Sequence, residues 1–537
     1  MYNTSMKKNE ELLLECIDVT YDAFGVCKEG SFTVYVKDLL IGEVALVKIL
    51  SVKKNHAFGK VLELKQASEY RIVPLCSVNG KCGGCQYGHI RYEYQLILKK
   101  KRVQDCFRTI GKMDVEVKDV IGMEEPYKYR NKVQVPLQYE DELRMGFYRN
   151  HSNDIVSFDY CMVQSDLSNA IIQYLKELLK GCKESKKIKH ILIKHGFTTN
   201  EIMLVFIVKE EIHLKEIVED VTRKFKEIKS VILNINSRKD NVIMGEEEKL
   251  LWNQDYIIDE LDGLKFKISS KSFYQINPIQ TVKLYRQAIK QCNVSDADIC
   301  VDLYCGTGTI GMFLALKAKY VYGIEIVEDA VKDAKYNAKM NGIENIEFLC
   351  GDAGVVSKEL LKKDKIDIVV VDPPRKGLSK EAIDTVVAMK PKKVVYVSCD
   401  PSTLARDCKV FEELNYKVED VQPVDMFPFT SHVETIVLLS KLDSKKYISV
   451  ELPMDDMDLT SAESKVTYKQ IQNYVLEKFG FKVSTLYIAQ VKKKHGLEAR
   501  EHYNISKNDN RRVPQCSIEK EEAILNALRN FNMLFLI

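Results

Sequence analysis

The chain has 537 residues, of which 45% are hydrophobic and 29% charged, so two to four ordinary globular domains of roughly 100–200 residues are expected. Eighty Lys and Arg against 77 Asp and Glu leave a net charge of +3, which argues against a wholly basic packaging protein and permits a basic stripe on one face. No apolar run nears the ~18 residues of a membrane helix, no signal-type segment follows Met1 to Glu10, and 15 cysteines are too few for a disulfide scaffold. A membrane or secreted protein is thereby excluded, and a cytoplasmic one expected.

The N-terminal stretch alternates apolar and polar residues between Gly and charged turns. Phe32–Lys37, Glu43–Leu50 and Gly59–Leu64 read as short strands, which predict a small OB-like barrel over 8–68. Lys48, Lys53, Lys54, His56 and Lys60 lie on or beside them. They make either a nucleic-acid footprint or an ordinary solvated face.

A second, α+β domain is expected over 69–262. It opens on a cysteine-rich turn, Cys76 to Cys85, and a charged helix from Tyr92 to Ile110 bearing Lys99-Lys100-Lys101-Arg102; this helical region, 92–118, is expected to pack on the catalytic domain. Strand-like runs (VQVPLQY, HILIKH, EIMLVFIV, SVILNIN) and the helical NAIIQYLKELLK follow. Cys76-x5-Cys82-x2-Cys85, with Cys161 far downstream in FDYCMVQ, points to metal in a cytosolic chain. Zinc and a [4Fe–4S] cluster both accept four thiolates, so spacing does not choose between them.

The third domain, 263–442, alternates short apolar runs (ICVDL, YVYGIE, IEFLC, IDIVVVD, KVVYVS) with helical patterns, which predicts a doubly wound, mainly parallel Rossmann-like sheet. KVEDVQPV and VETIVLLS close it as an antiparallel hairpin. Beyond Leu442 a polar connector (DDMDLTSAES) leads to a small helical module of unknown role, 460–537. Within it, TYKQIQNYVLEKFG and TLYIAQVKKKHG have helix-turn-helix spacing with Ser484 as N-cap; Lys492-Lys493-Lys494 would face nucleic acid, though a plain helix pair is the preferred reading.

Four motifs carry chemistry. In VDLYCGTGTIG a strand ends near Leu303, and Gly306 and Gly308 let a ligand approach the backbone. The next strand ends in Glu325, where a carboxylate can accept ribose hydroxyl protons; the third ends in GDA, setting Asp352 near an adenine edge. VVVDPPRKG puts Asp372 at the carboxyl end of the fourth strand. G-x-G, acidic residue, GDA and DPPR in that order fit S-adenosylmethionine better than a dinucleotide. Finally, VVYVSCDPSTLARD places Cys399 at the end of the fifth strand before a helix, a position that favours thiolate character, and SHVETIVLL places Glu434 at the start of the last. A Cys nucleophile with a carboxylate base suits methylation of an unactivated pyrimidine carbon: thiolate addition at C6 makes C5 nucleophilic, and the base removes the C5 proton.

These residues, with YRNKVQVP, GFYRNHSNDIV, SFYQINP and HVETIVLL, make the chain resemble the bacterial 23S rRNA (uracil-5-)-methyltransferases over roughly Leu12 to Lys441. The resemblance implies a TRAM (OB-like) domain, a central domain with a [4Fe–4S] cluster on Cys76, Cys82, Cys85 and Cys161, and a Rossmann-like methyltransferase domain. It implies cofactor contacts at Gln275, Tyr304, Glu325 and Asp372, with Asp352 a weaker one. It makes Cys399 the nucleophile and Glu434 the base. It further implies a monomer acting on 23S rRNA, with no obligate protein partner and no membrane. A tRNA uridine C5-methyltransferase and a non-catalytic RNA-binding assembly protein are the alternatives; the tRNA reading is placed lower because tRNA relatives generally lack the barrel and the cysteines. The cluster is expected to be structural, and the target base to leave its stack to reach Cys399.

Overall fold

A computed structural model describes residues 6–240, 242–442, 468–495 and 516–531, in two compact units, 1–445 and 446–537. The connector DDMDLTSAES lies outside the described residues. Among the described residues no helix is long and apolar enough to cross a membrane.

The first unit begins with a closed five-stranded barrel, Glu11–Val19, Phe24–Glu29, Phe32–Lys37, Val44–Val52 and His56–Gln66. Strict alternation drives its closure: Val34, Val36, Ala45, Val47 and Ile49 all point inward and are fully buried. Buried Glu43 takes two hydrogen bonds of 2.6 Å from Arg71, which ties the barrel to the segment that follows.

A seven-stranded sheet comes next, in the spatial order Glu247–Asn253, Ile228–Ile235, Glu201–Val208, Ile188–Gly196, Lys132–Tyr139, Leu143–Tyr148 and Ile155–Ser157. The amphipathic helices Asp166–Lys180 and Lys215–Lys224 cover one face through Ile171, Leu175, Val218 and Val221. The hairpin Tyr256–Leu261 and Leu264–Ser269 packs on the other through Ile257 and Ile268.

The third sheet runs Ile346–Cys350, Tyr320–Glu325, Ile299–Leu303, Ile368–Val371, Lys393–Ser398, Glu434–Lys441, Tyr416–Val424. The first five strands are parallel, and the last two pair antiparallel. Both faces are covered, so its strands read as continuous apolar runs: Val369 and Val371 enter one core, Ile368 and Val370 the other. The helix Tyr92–Cys106, which continues as a π-turn over Phe107–Gly111 where the sequence reads plain helix, sends Val103 and Phe107 into the first of these cores.

That helix also anchors the loop between the two antiparallel strands. Lys99 and Asp425, both fully buried, pair at 2.6 Å, and the Tyr92 hydroxyl donates to Asp425 at 2.9 Å. Lys99 also donates to the Phe427 carbonyl at 3.0 Å, and Arg102 to the Ser431 carbonyl at 2.7 Å. The loop leading into Glu434 is therefore fixed from outside its own sheet.

In the second unit, helices Tyr468–Phe479, Thr485–Lys494 and Ile518–Asn530 are described. They share an apolar core of Ile471, Val475, Ile488, Val491, Ile524 and Leu528. The Ser484 hydroxyl accepts from the Tyr487 amide at 3.3 Å, as an N-cap does.

Candidate active site and cysteine-lined cavity

All the catalytic candidates stand at the carboxyl edge of the third sheet. The strands Lys393–Ser398 and Glu434–Lys441 pair in an unbroken antiparallel register that ends at Ser398 opposite Thr435. Cys399 follows directly in a bend and Glu434 is the first residue of the facing strand, so the end of this ladder holds the thiol and the carboxyl near enough for Glu434 to act on Cys399.

The electrostatics of this pair follow from burial. Glu434 is only 5% exposed; loss of solvent and, next, the Asp372 carboxylate push its carboxyl up to about 8, against which Arg375 works. Asp372 is itself raised to about 7 by desolvation. Cys399, half-buried, is pushed up to about 11 by desolvation and then by Glu434, with Arg375 again opposing. The expected thiolate character is thus overturned for the free protein. The helix Pro401–Glu413 does begin two residues on, but its N-terminal amide at Ser402 is capped by Asp400 at 2.9 Å, and three carboxylates outweigh what field remains. Arg375 of DPPR, which the sequence reading left without a role, is the cationic influence common to thiol and base.

Beside them lies a small pocket of about 40 Å³ whose lining includes Gln275, Tyr304, Thr309, Asp302 and Asp372. The turn that shapes it is strained. Tyr304 has φ +65°, and Gly308, at φ +81°, would bring an added Cβ within 2.5 Å of the Phe348 ring. Glu325 stiffens the turn, accepting from the Gly306 amide at 3.1 Å and from the Ile326 and Val327 amides at 2.9 and 3.0 Å. Asp352 caps the helix Ala353–Lys363 through the Gly354 amide at 2.9 Å; desolvation first, and then Asp352 and Glu325, raises the Tyr304 phenol. Neither Glu325 nor Asp352 lines this small pocket. Asn131 of YRNKVQVP fixes the opposite side by donating to the Gln275 carbonyl at 2.8 Å.

Asp302 was missed from sequence, where it reads as a strand residue. It is fully buried in the wall of this pocket, and neither oxygen has a hydrogen-bond partner. Desolvation raises it to about 8, and the facing Gly311 amide only softens the effect. A buried carboxyl left open toward a cavity is a seat for a cation.

Cys76, Cys82, Cys85 and Cys161 line a separate cavity of about 660 Å³. The Cys82 loop is held against Leu143–Tyr148 by the Gly83 amide, which donates to the Tyr148 carbonyl at 3.0 Å. Asn169 clamps the Cys161 backbone with bonds of 2.9 and 3.0 Å. Desolvation raises the thiols of Cys82, Cys85 and Cys161, Cys85 to about 12 and Cys161 to about 11. Among the described residues no three His, Cys, Asp or Glu side chains stand close enough to hold a single metal ion. Arg130 also lines the cavity, its Nε buried without a partner, and it lowers the thiols it faces.

Residues 91–442 match the family model described as tRNA (Uracil-5-)-methyltransferase. The chain is 45% identical to an uncharacterized RNA methyltransferase of Clostridium acetobutylicum, over 82% of this chain and 98% of that one. It is 44% identical to another from Bacillus cereus, with the same coverage of both chains. Among solved structures it resembles the Pyrococcus abyssi tRNA (uracil-54, C5)-methyltransferase in complex with S-adenosyl-L-homocysteine. There the TM-score is 0.64 at 28% identity, covering 80% of this chain and 99% of that one. That likeness takes in more of the chain than the family match does, so the parts beyond residues 91–442 do not by themselves set a tRNA target aside. With a strained glycine turn, a pocket at the sheet edge and a Cys near a Glu already in view, these likenesses converge: the chain belongs to the tRNA (uracil-5-)-methyltransferase family of S-adenosylmethionine-dependent RNA uracil-C5 methyltransferases.

Proposed function

We propose that this enzyme methylates C5 of a specific uridine through a covalent adduct between Cys399 and C6, with Glu434 as the base. The nearness of Cys399 and Glu434 at the end of one ladder, where the same Arg375 and Asp372 act on both, supports the reading. Cys399 Sγ, once deprotonated, bonds to C6 and the C5=C6 electron pair moves toward O4. The resulting enolate takes the methyl group through C5, and the sulfonium's carbon–sulfur bond breaks with its electron pair left on sulfur. The Glu434 carboxylate then removes the C5 proton, and the C6–S bond breaks to restore the thiolate. Arg375 favours the ionised forms of both groups. Burial keeps Glu434 a strong enough base to take a carbon-bound proton.

The small pocket is large enough for only part of S-adenosylmethionine, and its lining suits that ligand by charge. The open Asp302 carboxyl suits its ammonium, Tyr304 its adenosine, and Gln275 and Asp372 its methionine end. Glu325 and Asp352 contribute by bracing Tyr304, with Glu325 also able to reach ribose hydroxyls.

For the cysteine-lined cavity we propose a [4Fe–4S] cluster held by Cys76, Cys82, Cys85 and Cys161. Four thiols lining one cavity, beside the buried Arg130 guanidinium whose Nε has no partner, suit a group whose thiolates make it net anionic. A cluster held there would tie the three cysteines of the Cys82 loop to Cys161 in the distant segment. No step of the methyl transfer passes through it.

The RNA target we propose is 23S rRNA, on the sequence resemblance; the Pyrococcus likeness favours a second reading, a tRNA uridine. The presence of both nucleophile and base speaks against a non-catalytic RNA-binding role. Mapping 5-methyluridine in rRNA and tRNA from a strain lacking the gene decides. Loss at one rRNA uridine, restored by the wild-type gene and not by Cys399→Ala, supports the proposal. Loss confined to tRNA supports the second reading, and an unchanged map refutes both.

A further inference from the structure

A second cavity, of about 310 Å³, adjoins the catalytic pair without including it. Three parts of the chain build it: Thr20 and Tyr21 at a barrel turn, Lys101 and Arg102 on the helix Tyr92–Cys106, and Asp400 and Ser402 directly after the nucleophile. Tyr21 is 42% exposed, unusual for a ring with this much company. The Arg102 guanidinium lies 3.6 Å from its centroid, and His432 meets it edge-on at 6.3 Å. Arg102 is held in place by its bond to the Ser431 carbonyl.

The charge around the cavity argues against a phosphate. Lys101 is engaged by Asp18 at 3.0 Å and Asp105 at 2.6 Å, Arg102 is oriented by Tyr21 and the Ser431 carbonyl, and Asp400 adds a carboxylate to the wall. What remains is a flat aromatic and guanidinium surface with a carboxylate beside it. Such a surface suits the face of a nucleobase, and a carboxylate accepts from an exocyclic amino group.

Resting on the reading that the enzyme acts on an RNA uridine, we propose that this cavity is a second base-binding subsite. It takes an amino-bearing base, cytosine or a purine, that neighbours the target uridine in the strand. Asp400 follows Cys399 in the chain, so a strand that delivers its uridine to the thiol passes the cavity mouth with the adjoining nucleotide. Stacking there fixes which uridine is presented.

The test uses the full-length enzyme with unmodified 23S rRNA and tRNA transcripts. Tyr21→Ala raises KM for RNA about tenfold or more, with kcat and KM for S-adenosylmethionine within twofold of wild type; Tyr21→Phe, which keeps the ring, restores KM. Transcripts carrying sparse 5-iodocytidine or 6-thioguanosine, irradiated with wild-type enzyme, cross-link the nucleotide beside the methylated uridine to the peptide containing Tyr21. If wild type methylates uridine while Tyr21→Ala keeps its KM, or if neighbouring nucleotides cross-link only to other peptides, the subsite is refuted and the reaction stands. If wild type methylates no uridine in either RNA, the functional reading fails and takes the subsite with it.

Discussion

Replacing Glu434 by Gln separates the thermodynamics of the site from its chemistry. Burial raises the carboxyl from an ordinary 4.5 to about 8, a displacement of about 3.5 pH units, worth at most ~5 kcal/mol at ~1.36 kcal/mol per unit. Because the folded value lies above the unfolded one, the stability contribution is whole below pH 4.5. It is lost as pH rises through about 8, where the folded protein must ionise a desolvated carboxyl that the unfolded chain ionises freely. Gln keeps the size and never ionises. Thermal or urea unfolding at pH 5, 7 and 9 should therefore show the variant and wild type nearly equal at pH 5, with the variant increasingly more stable toward pH 9 and the gap bounded by ~5 kcal/mol. In wild type the rate of methyl transfer should rise over the same range, as the base form of Glu434 accumulates. A stability gap independent of pH would show that Glu434 is solvated and ordinary, and the assigned base would lose its physical basis.

Three further outcomes follow from particular contacts. Lys99→Met leaves Asp425 buried and unpaired, so a loss of about 3–5 kcal/mol in urea unfolding is expected; Lys99→Met with Asp425→Leu should recover much of it, and no loss in the single variant would contradict the pairing. Asp302→Asn keeps the shape of the donor pocket but removes the carboxyl that could ionise beside a bound ammonium. Calorimetry should show S-adenosylhomocysteine binding weakened at least tenfold, whereas unchanged affinity would mean that the carboxyl does not meet the ligand's ammonium. Cys82→Ser should abolish the near-400 nm absorption of anaerobically purified protein and lower its thermal midpoint; retention of both would rule out a cluster on these cysteines.

Much of this was legible because periodicity is local. Alternation in FTVYVK and continuous apolar runs such as IDIVVVD are enough to predict a two-sided barrel wall and a strand buried on both faces. Gly306 and Gly308 mark the donor turn for the same reason, since the φ +81° at Gly308 admits few other residues. What sequence cannot give is register between distant strands. Cys399 and Glu434 each sit at a strand end, but only the pairing of those two strands brings the ends together. Electrostatics fail for the same reason. Proximity to a helix N-terminus suggested a thiolate; what reverses this is burial first and then carboxylates from positions 434, 372 and 400. Asp302 and Arg130 were invisible as functional residues because an unpartnered buried charge is defined by what does not face it.

The sulfur–carbon bond is the most direct test of the whole account. Glu434→Gln incubated with S-adenosylmethionine and RNA from a strain lacking the gene should accumulate an SDS-stable protein–RNA complex, because addition and methyl transfer proceed while release waits on a missing base. Mass spectrometry of the digested complex should find a methylated uridine on the peptide containing Cys399, and Cys399→Ala in the same background should form none. A complex seen with wild type and absent from Glu434→Gln, or a uridine attached to any other cysteine, would contradict the account.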